Sequence, residues 1–321
     1  MSHTDQIWIS ITKEKHIISV LNQQILSSGF MVKDHNPNAN FGFAYQYTRD
    51  ATEIHCRVID SVFLPDPNAF TRPAPNTIIT DNIPLTPVAG RLINLLPEFW
   101  SIWHIDPVYE DRPASVGFNC FMNRVRGDRS LVFYELIRRK ILNRGLVSYN
   151  CSPSEYMDQY ESAELYDYWQ EHDIGLTVIP YNTVEQHGVL EQCIIDSNIS
   201  LVLETYTSDS HIVFSEKIFR VLQLPRPWLL YCSPGSIKWL RHYGFDVLDD
   251  YVDHAYDQIP EHHHRLKQIL DQLETFIDRQ YTQNDYKRFD QAAEHNRNLL
   301  KNFEQAWPEK FNCALKEIQT I

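Results

Sequence analysis

The segment from 200 to 235 constrains the fold of this chain more than any other part. An apolar run at 201–203 ends at the carboxylate Glu204 and is followed by a polar loop. A second apolar run, 218–224, has the spacing of a buried helix face, and prolines separate it from the apolar run 228–231. Strand, loop, helix and strand in this order predict a β-α-β unit with parallel strands.

The helix of this unit is predicted to begin at the triplet Ser215-Glu216-Lys217. Ser215 can cap the helix, and Glu216 lies in the first turn, where the dipole favours negative charge. Ligands of such sheets bind beyond the carboxyl ends of the strands, so Glu204 and the triplet are expected to collect there. Glu204 can accept hydrogen bonds from a ribose or a base, and Lys217 can reach a phosphate. A plain helix cap with a surface lysine is an equally good interpretation.

A second strand-to-helix junction carries a cluster of arginines. The run 116–121 predicts a strand, followed by a loop with Arg124, Arg126 and Arg129 and by a helix that starts near Ser130. Free N–H groups at a helix start attract anions, and guanidinium groups add paired hydrogen bonds, so this loop suits a diphosphate. The alternative is a solvated basic turn that pairs with surface carboxylates.

Both ends of the chain show regular patterns. Residues 6–12 and 30–32 predict strands on either side of a helix over 13–26, and 54–63 predicts another strand. The proline-rich run 64–90 predicts loops. From Glu261 onward, two apolar stripes at helical spacing predict two helices packed on the core. Three adjacent histidines, 262–264, cannot share one helix face and are interpreted as surface residues.

The length of 321 residues and a hydrophobic content of 43% allow two domains. We predict an α/β domain at 1–110, a second at 111–275, and C-terminal helices at 276–321 that pack back on the domains. The net charge of -13 disfavours binding to nucleic-acid backbones. Six scattered cysteines without a CxxC pair predict reduced thiols. With no apolar run able to span a bilayer and no signal-peptide pattern, we expect a soluble, cytoplasmic protein.

Carboxylates also cluster near the predicted hinge at 105–115. They are Glu98, Asp106, Glu110 and Asp111, with His104 beside them. A carboxylate of this group, Asp106 or Glu98, can act as a general base toward a hydroxyl group. A solvent-exposed, non-catalytic role is the more common one for such residues. The chain has no GxGxxG after a strand, no GxxxxGK[ST], no HExxH and no GxSxG.

The segment 203–237 resembles the donor site of fucosyltransferase-like and exostosin-like glycosyltransferases. It shares with them a strand that ends in Glu, a loop, a Ser-Glu-Lys helix start, an apolar helix, a proline and a strand. Segments 118–150 and 238–257 are similar to the neighbouring parts of that domain in related sequences from large phages and other viruses. The three segments follow in the same order, and the resemblance covers about residues 98–275.

The resemblance implies a GT-B-like fold, with two Rossmann-like domains facing a cleft and a helical C-terminal tail. It also implies that the C-terminal domain binds a nucleotide-diphosphate sugar, linked to GDP or UDP, and holds no permanent cofactor. Arg126 or Arg129 would contact the phosphates, Glu204 the nucleotide, and Glu216 and Lys217 would lie at the helix start. The absence of an Asp-x-Asp pair predicts that no metal takes part.

Two positions depart from the family pattern. Val213 replaces an aromatic residue, and Thr205 replaces an asparagine, so the base and the sugar stay open. The predicted function is transfer of a sugar to a hydroxyl acceptor in the cytoplasm, or in the host cytoplasm for a viral protein. The alternative is a non-catalytic two-domain scaffold with a degenerate nucleotide site. A modified DNA base is a further acceptor, which the charge of -13 disfavours. The oligomeric state is not predicted.

Overall fold

The chain forms two compact units, each of which is described by itself. In the computed structural model, one unit holds Met1–Ile102, Asp209–Val213 and Leu300–Ile321, and the other holds Trp103–Ser208 and Phe214–Leu299. The structure describes residues 6–10, 31–35, 45–48, 55–58, 77–80, 83–84, 91–94, 104–122, 127–149, 188–204, 207 and 211–319.

The first unit contains a mixed sheet. Its strands, in chain order, are β1 (Gln6–Ser10), β2 (Met31–His35), β3 (Tyr45–Thr48), β4 (His55–Val58), β5 (Thr77–Thr80), β6 (Ile83–Pro84) and β7 (Arg91–Asn94). Six of them form a sheet in the order β2-β3-β4-β1-β5-β7. β1 lies parallel to both β4 and β5, β5 lies parallel to β7, and β3 runs antiparallel to both of its neighbours.

The predicted strands near the N-terminus are confirmed, and the proline-rich run contains two short strands that were not predicted. The strands expected at 6–12, 30–32 and 54–63 correspond to β1, β2 and β4. Within 64–90, where we expected loops, β5 and β6 form; β5 reads Thr-Ile-Ile-Thr, and β-branched residues favour strands even between prolines. The helix expected over 13–26 lies outside the described residues.

The second unit is built on a parallel sheet. Its strands are β8 (Val116–Met122), β9 (Gly145–Tyr149), β10 (Ser197–Leu203) and β12 (Trp228–Tyr231). They form a four-stranded sheet in the order β12-β10-β8-β9, with every pair parallel. The remaining strand, β11 (His211–Ile212), belongs to the first unit and pairs antiparallel with β6.

Helices alternate with these strands along the chain, and the last helix continues into the first unit at Leu300. The α-helices are α1 (Gly127–Arg138), α2 (Val189–Ile195), α3 (Glu216–Leu222), α4 (Ser236–His242), α5 (His262–Ile277) and α6 (Gln283–Gln319). Two 3-10 helices, Leu142–Arg144 and His254–Gln258, lie between them. None of the helices in the described part of the chain combines the length and the apolar character that a bilayer crossing requires.

The order of the strands reverses direction at one point. From β8, the chain goes to β9 on one side, then returns past β8 to β10 and β12 on the other side. In sheets wound in this way, ligands bind in a crevice where the direction reverses, beyond the carboxyl ends of the strands. The reversal lies between β8 and β10, so a ligand crevice is expected beyond the ends of these two strands.

The core surrounds β10 and β12. Leu201 and Leu229 are at most 1% exposed, as expected for parallel strands with both faces covered. α5 packs against β8, β10 and β12. Gly117 permits this close approach, because a Cβ atom there would lie 2.7 Å from the side chain of Ile277. α2 and α3 are neighbours, since Arg220 Nε lies 3.7 Å from Glu191 Oε1.

Most helix and strand predictions for the second unit are confirmed. Ser215 caps α3, and the histidines at 262–264 are exposed. The start of α1 differs: it begins at Gly127, not near Ser130. Asp128 explains the earlier start, because a carboxylate in the first turn is stabilised by the helix dipole. Arg129 therefore belongs to the helix and not to the loop before it.

Candidate functional site

Glu204 follows the last residue of β10 and holds the start of α3 in place. It is 2% exposed. Its Oε1 accepts a hydrogen bond from the backbone N–H of Ser215 at 3.0 Å, and its Oε2 accepts one from the Ser215 hydroxyl at 2.6 Å. Both carboxyl oxygens are thus engaged by one residue. Glu204 fixes the position of Ser215 before any ligand binds.

Lys217 completes this cluster on the solvent side. Its Nζ donates to Ser215 Oγ at 2.7 Å and lies 3.0 Å from Glu216 Oε1 and 3.9 Å from Glu204 Oε2. The side chain of Lys217 is 26% exposed, whereas that of Glu204 is fully buried. The structure therefore brings together the four residues that the sequence predicted to collect at the end of this strand, with Glu204 innermost.

The two carboxyl groups of the cluster have opposite pKa shifts. Burial raises the pKa of Glu204; the charge of Glu216 adds to this effect, while Lys217 and the hydrogen bonds from Ser215 oppose it. For Glu216, partial burial disfavours the charged form, but the charge and the hydrogen bond of Lys217 outweigh this effect, so the pKa of Glu216 is lowered. Glu216 is thus the carboxylate that neutralises Lys217, and Glu204 is held toward its neutral form.

The second predicted junction lies at the start of α1. Arg129, in the first turn, is 5% exposed. Its positive charge acts on Cys120 of β8, where burial nevertheless raises the pKa of the thiol to about 12. Arg124 and Arg126 lie outside the described residues. The one predicted arginine that the structure describes is therefore turned toward the sheet.

Thr207 joins the two junctions. Its hydroxyl donates a hydrogen bond to Asp128 Oδ2 in the first turn of α1. Its carbonyl oxygen accepts a hydrogen bond from Arg265 Nη2 at 2.8 Å. Thr207 is 6% exposed. The chain leaving β10 is thus attached to the helix that follows β8, across the reversal in strand order.

Arg265, on α5, is a buried positive charge beside this crevice. It is 1% exposed, and its guanidinium carbon lies 5.9 Å from the ring centre of Tyr231, the last residue of β12. Nη1 donates to the carbonyl oxygens of Ile259 and Pro260. Within the described residues it forms no ion pair, and its Nε has no hydrogen-bond partner. Among the described residues, its charge is therefore balanced by carbonyl dipoles and the ring of Tyr231.

Several charged side chains of the described residues lie at this edge. They are the cations Arg129, Lys217 and Arg265 and the carboxyl groups of Asp128, Glu204 and Glu216, and burial raises the pKa of Glu204. The whole chain carries a net charge of -13. Cations that are partly shielded from water can attract an anionic ligand even in an acidic protein.

Of the two predicted general bases, Asp106 and Glu98, the structure describes Asp106, and no hydrogen bond or ion pair among the described residues joins it to this cluster. Asp106 is exposed, and among the described residues it forms no hydrogen bond or ion pair. Glu98 lies outside the described residues. Glu110 and Asp111 are exposed as well, and His104 is half-buried. A carboxylate that nothing holds has no preset orientation, so the assignment of Asp106 or Glu98 as a base stays a prediction.

Sequence reasoning did not identify Thr207 and Arg265. Thr207 lies in a polar loop, where no periodic pattern marks a buried residue. Arg265 did leave a signal: it shares the spacing of Ile269 and Leu273, which lie on the buried stripe of α5. A cation on an apolar stripe must be satisfied inside the protein, and this could have singled it out.

Comparisons with known proteins leave the family open. No protein-family model matches the chain, and no curated protein matches it. Among solved structures, a DNA-modifying β-glucosyltransferase, determined with and without its substrate uridine diphosphoglucose, matches with a TM-score of 0.36 and 10% identity. The match covers 76% of this chain and 66% of that one, just under two thirds of its length. A likeness at this level shows neither a common fold nor a common activity.

Proposed function

We propose that the chain is a metal-independent glycosyltransferase of GT-B-like architecture, which moves a sugar from a nucleotide-diphosphate sugar to a hydroxyl acceptor. The observation that carries the proposal is the position of Lys217. Its Nζ is held by Ser215 and Glu216 at the carboxyl end of β10, beside the reversal in strand order. Ligands of parallel sheets bind at that place, and a lysine there meets the phosphates as a point charge.

The main task of such a site is to stabilise the departing nucleotide diphosphate. In the transfer, the acceptor oxygen forms a bond to the anomeric carbon, the bond from that carbon to the diphosphate oxygen breaks, and a carboxylate takes the hydroxyl proton. Negative charge grows on the diphosphate, and fixed cations stabilise it. Lys217 and an arginine of the 124–129 segment are the proposed cations, and Asp106 or Glu98 is the proposed base.

The start of α3 suits this task because its parts are already ordered. Glu204 holds Ser215 by two hydrogen bonds, and Ser215 holds Lys217 Nζ by a third. A phosphate would take the place of Glu216 at Lys217, since the side chain of Glu216 is 45% exposed. The exchange replaces one anion at Lys217 by another, which keeps the ammonium paired throughout.

The scaffold alternative also has an observation in its favour. Lys217 is already neutralised by Glu216 at 3.0 Å, as expected for a site that has lost its ligand. Hydrolysis of the donor separates the two functions, since transferases also pass the sugar to water. Release of UDP from a UDP-sugar, or of GDP from a GDP-sugar, supports the transferase; a protein that binds nucleotide without turnover is the scaffold.

Calorimetry with UDP and GDP tests the proposed site. We expect the wild-type protein to bind one of the two, and Lys217→Ala to weaken that binding by about tenfold, because a hydrogen bond to a charged group is lost. Lys238→Ala is the matched control: Lys238 lies in the first turn of α4, the next helix along the sheet edge, and its removal should leave binding unchanged. If neither nucleotide binds the wild-type protein, or the Lys217 variant binds as tightly, the proposal is wrong.

A further inference from the structure

Thr207 is held at two atoms by two different helices. Its hydroxyl is bonded to Asp128 at the start of α1, and its carbonyl oxygen to Arg265 on α5. We propose that Thr207 is a positioning residue, which aligns the strand-to-helix junctions after β8 and β10 around the diphosphate of one nucleotide. The inference rests on the proposed function and adds to it a residue that does not touch the ligand.

The topology explains why a connection is needed at this point. β8 and β10 are hydrogen-bonded neighbours, but the chain leaves them toward different helices, α1 and α3. A diphosphate bound at the reversal must contact groups from both junctions at once. Backbone pairing between the strands stops inside the sheet, so beyond their ends side chains have to set the relative position of the two junctions. Thr207 and Asp128 make such a contact.

The bond to Asp128 is suited to this role. A hydroxyl that donates to a carboxylate forms a charge-assisted hydrogen bond, which is shorter and stronger than one between neutral groups. Thr207 is 6% exposed, so water competes little for it. Its branched side chain also has few rotamers, and the hydroxyl direction is set with little loss of entropy.

Arg265 fixes the other end of Thr207. Its guanidinium donates to three carbonyl oxygens, those of Thr207, Ile259 and Pro260. At 1% exposure, it cannot reach a ligand directly. It acts through the Thr207 carbonyl and adds a positive charge behind the crevice. Positioning of this kind matters most for groups that must be placed to within about 0.5 Å.

If the hydrogen bonds of Thr207 only stabilised the fold, their loss would weaken the binding of all nucleotides alike. If they align the diphosphate contacts, their loss would weaken diphosphates more than monophosphates. Loss of these hydrogen bonds should lower the affinity for UDP more than that for UMP, or the affinity for GDP more than that for GMP, because the second phosphate must contact both junctions. The ratio of diphosphate to monophosphate affinity is therefore the measurement that separates the two roles, and a general loss of stability does not change it.

Calorimetry on Thr207→Val and Thr207→Ser provides the test, with the nucleotide pair whose base the wild-type protein binds. Valine keeps the shape and removes the hydroxyl; serine keeps the hydroxyl. We expect the valine variant to lose about tenfold in diphosphate affinity and less than about threefold in monophosphate affinity, as for one hydrogen bond to a charged group. Serine should restore the ratio to within about twofold of wild type. Equal losses for both nucleotides overturn the inference.

Asp128→Ala is the second variant, and it lies at the other end of the same hydrogen bond. If Thr207 acts through Asp128, the double variant should lose no more diphosphate affinity than either single variant, since the two changes remove one interaction. If the two single losses of diphosphate affinity add up in the double variant, Thr207 does not act through Asp128. A wild-type protein that binds no nucleotide ends the proposed function and this inference together, whereas wild-type binding that Thr207→Val leaves unchanged ends this inference alone.

Discussion

Two strand-to-helix junctions lie side by side at the carboxyl edge of the parallel sheet and differ in what fills them. After β10, Ser215 is the N-cap of α3, with Glu204 behind it and the partly exposed Lys217 in front. After β12, Gly235 is the N-cap of α4, and the carboxylate of Asp257 accepts hydrogen bonds from the first turn of the helix. Both helices have seven residues, so length does not account for the difference.

The two junctions differ in where their carboxylate comes from, and this decides whether the N–H groups of the first helical turn are already occupied. Asp257 comes from a later 3-10 helix, is 5% exposed, and accepts from the N–H groups of Ile237 at 3.1 Å and Lys238 at 3.3 Å. It occupies the place that an anionic ligand would take. Glu204 directly follows β10, and both of its carboxyl oxygens accept hydrogen bonds from the cap residue, Ser215, while Lys217 stays partly exposed. The α4 junction is thus structural, and the α3 junction is the one where we propose that a ligand binds.

Removal of Asp257 should have the largest effect on stability. In Asp257→Ala, the N–H groups of Ile237 and Lys238 lose their acceptor in a buried setting. Each such loss costs about 1–3 kcal/mol, so we expect the free energy of unfolding to fall by about 3 kcal/mol. Urea unfolding followed by circular dichroism measures it.

Asp257→Ala also tests whether the α4 junction takes part in nucleotide binding. Binding of UDP or GDP to the folded Asp257→Ala protein should match the wild type, because the α4 junction has no part in the proposed site. Asp257→Asn keeps one acceptor oxygen and should lose less stability than alanine. Nucleotide affinity that falls along with stability would mean that both junctions belong to one site.

A smaller loss is expected from the cap of the other helix. In Ser215→Ala, α3 loses its N-cap, Glu204 loses one of its two hydrogen bonds, and Lys217 Nζ loses one partner. Replacing a serine cap by alanine costs about 1 kcal/mol. Ser215→Thr keeps a hydroxyl and should stay close to wild type in urea unfolding. A loss as large as that of Asp257→Ala would show that the two junctions are equally structural.

The contrast between the junctions also shows how far sequence reasoning reaches. The junction after β10 could be predicted because Glu204, Ser215 and Lys217 lie within one β-α-β unit, where propensity, capping and strand direction place them together. The start of α1 was predicted three residues late because the arginine-rich run obscured the capping signal of Asp128. Apart from the start of α1, local rules were sufficient where the interacting residues are close in sequence.

Contacts between distant segments could not be predicted from the sequence. Asp257 closes a helix that begins at 236, and Arg265 bonds to Thr207 across the sheet edge. Neither pairing follows from periodicity, since it depends on how α5 and the preceding 3-10 helix pack on the finished sheet. The parallel sheet itself was predicted, because its strands are short apolar runs separated by helical ones.

The smallest expected effect is a change in the pH dependence of stability. The folded protein raises the pKa of Glu204, chiefly by burial. A carboxyl group of this kind contributes stability that is complete below its unfolded pKa of about 4.3 and is lost as the pH rises through its higher folded value. Glu204→Gln removes this contribution. The unfolding free energy of the variant minus that of the wild type should therefore rise as the pH rises above about 4.3, because the wild type loses stability there and the variant does not.

Glu216 is the matched control, because its folded pKa is shifted the other way. Its pairing with Lys217 is present above the unfolded pKa and is lost as the pH falls through the lower folded value. Relative to wild type, Glu216→Gln should therefore become less destabilising as the pH falls, opposite to the trend expected for Glu204→Gln. Urea unfolding from pH 4 to 8, in steps of about one unit, measures both differences. If the two curves slope the same way, the pKa of Glu204 is not raised in the folded protein, and the contrast between the two carboxyl groups is wrong.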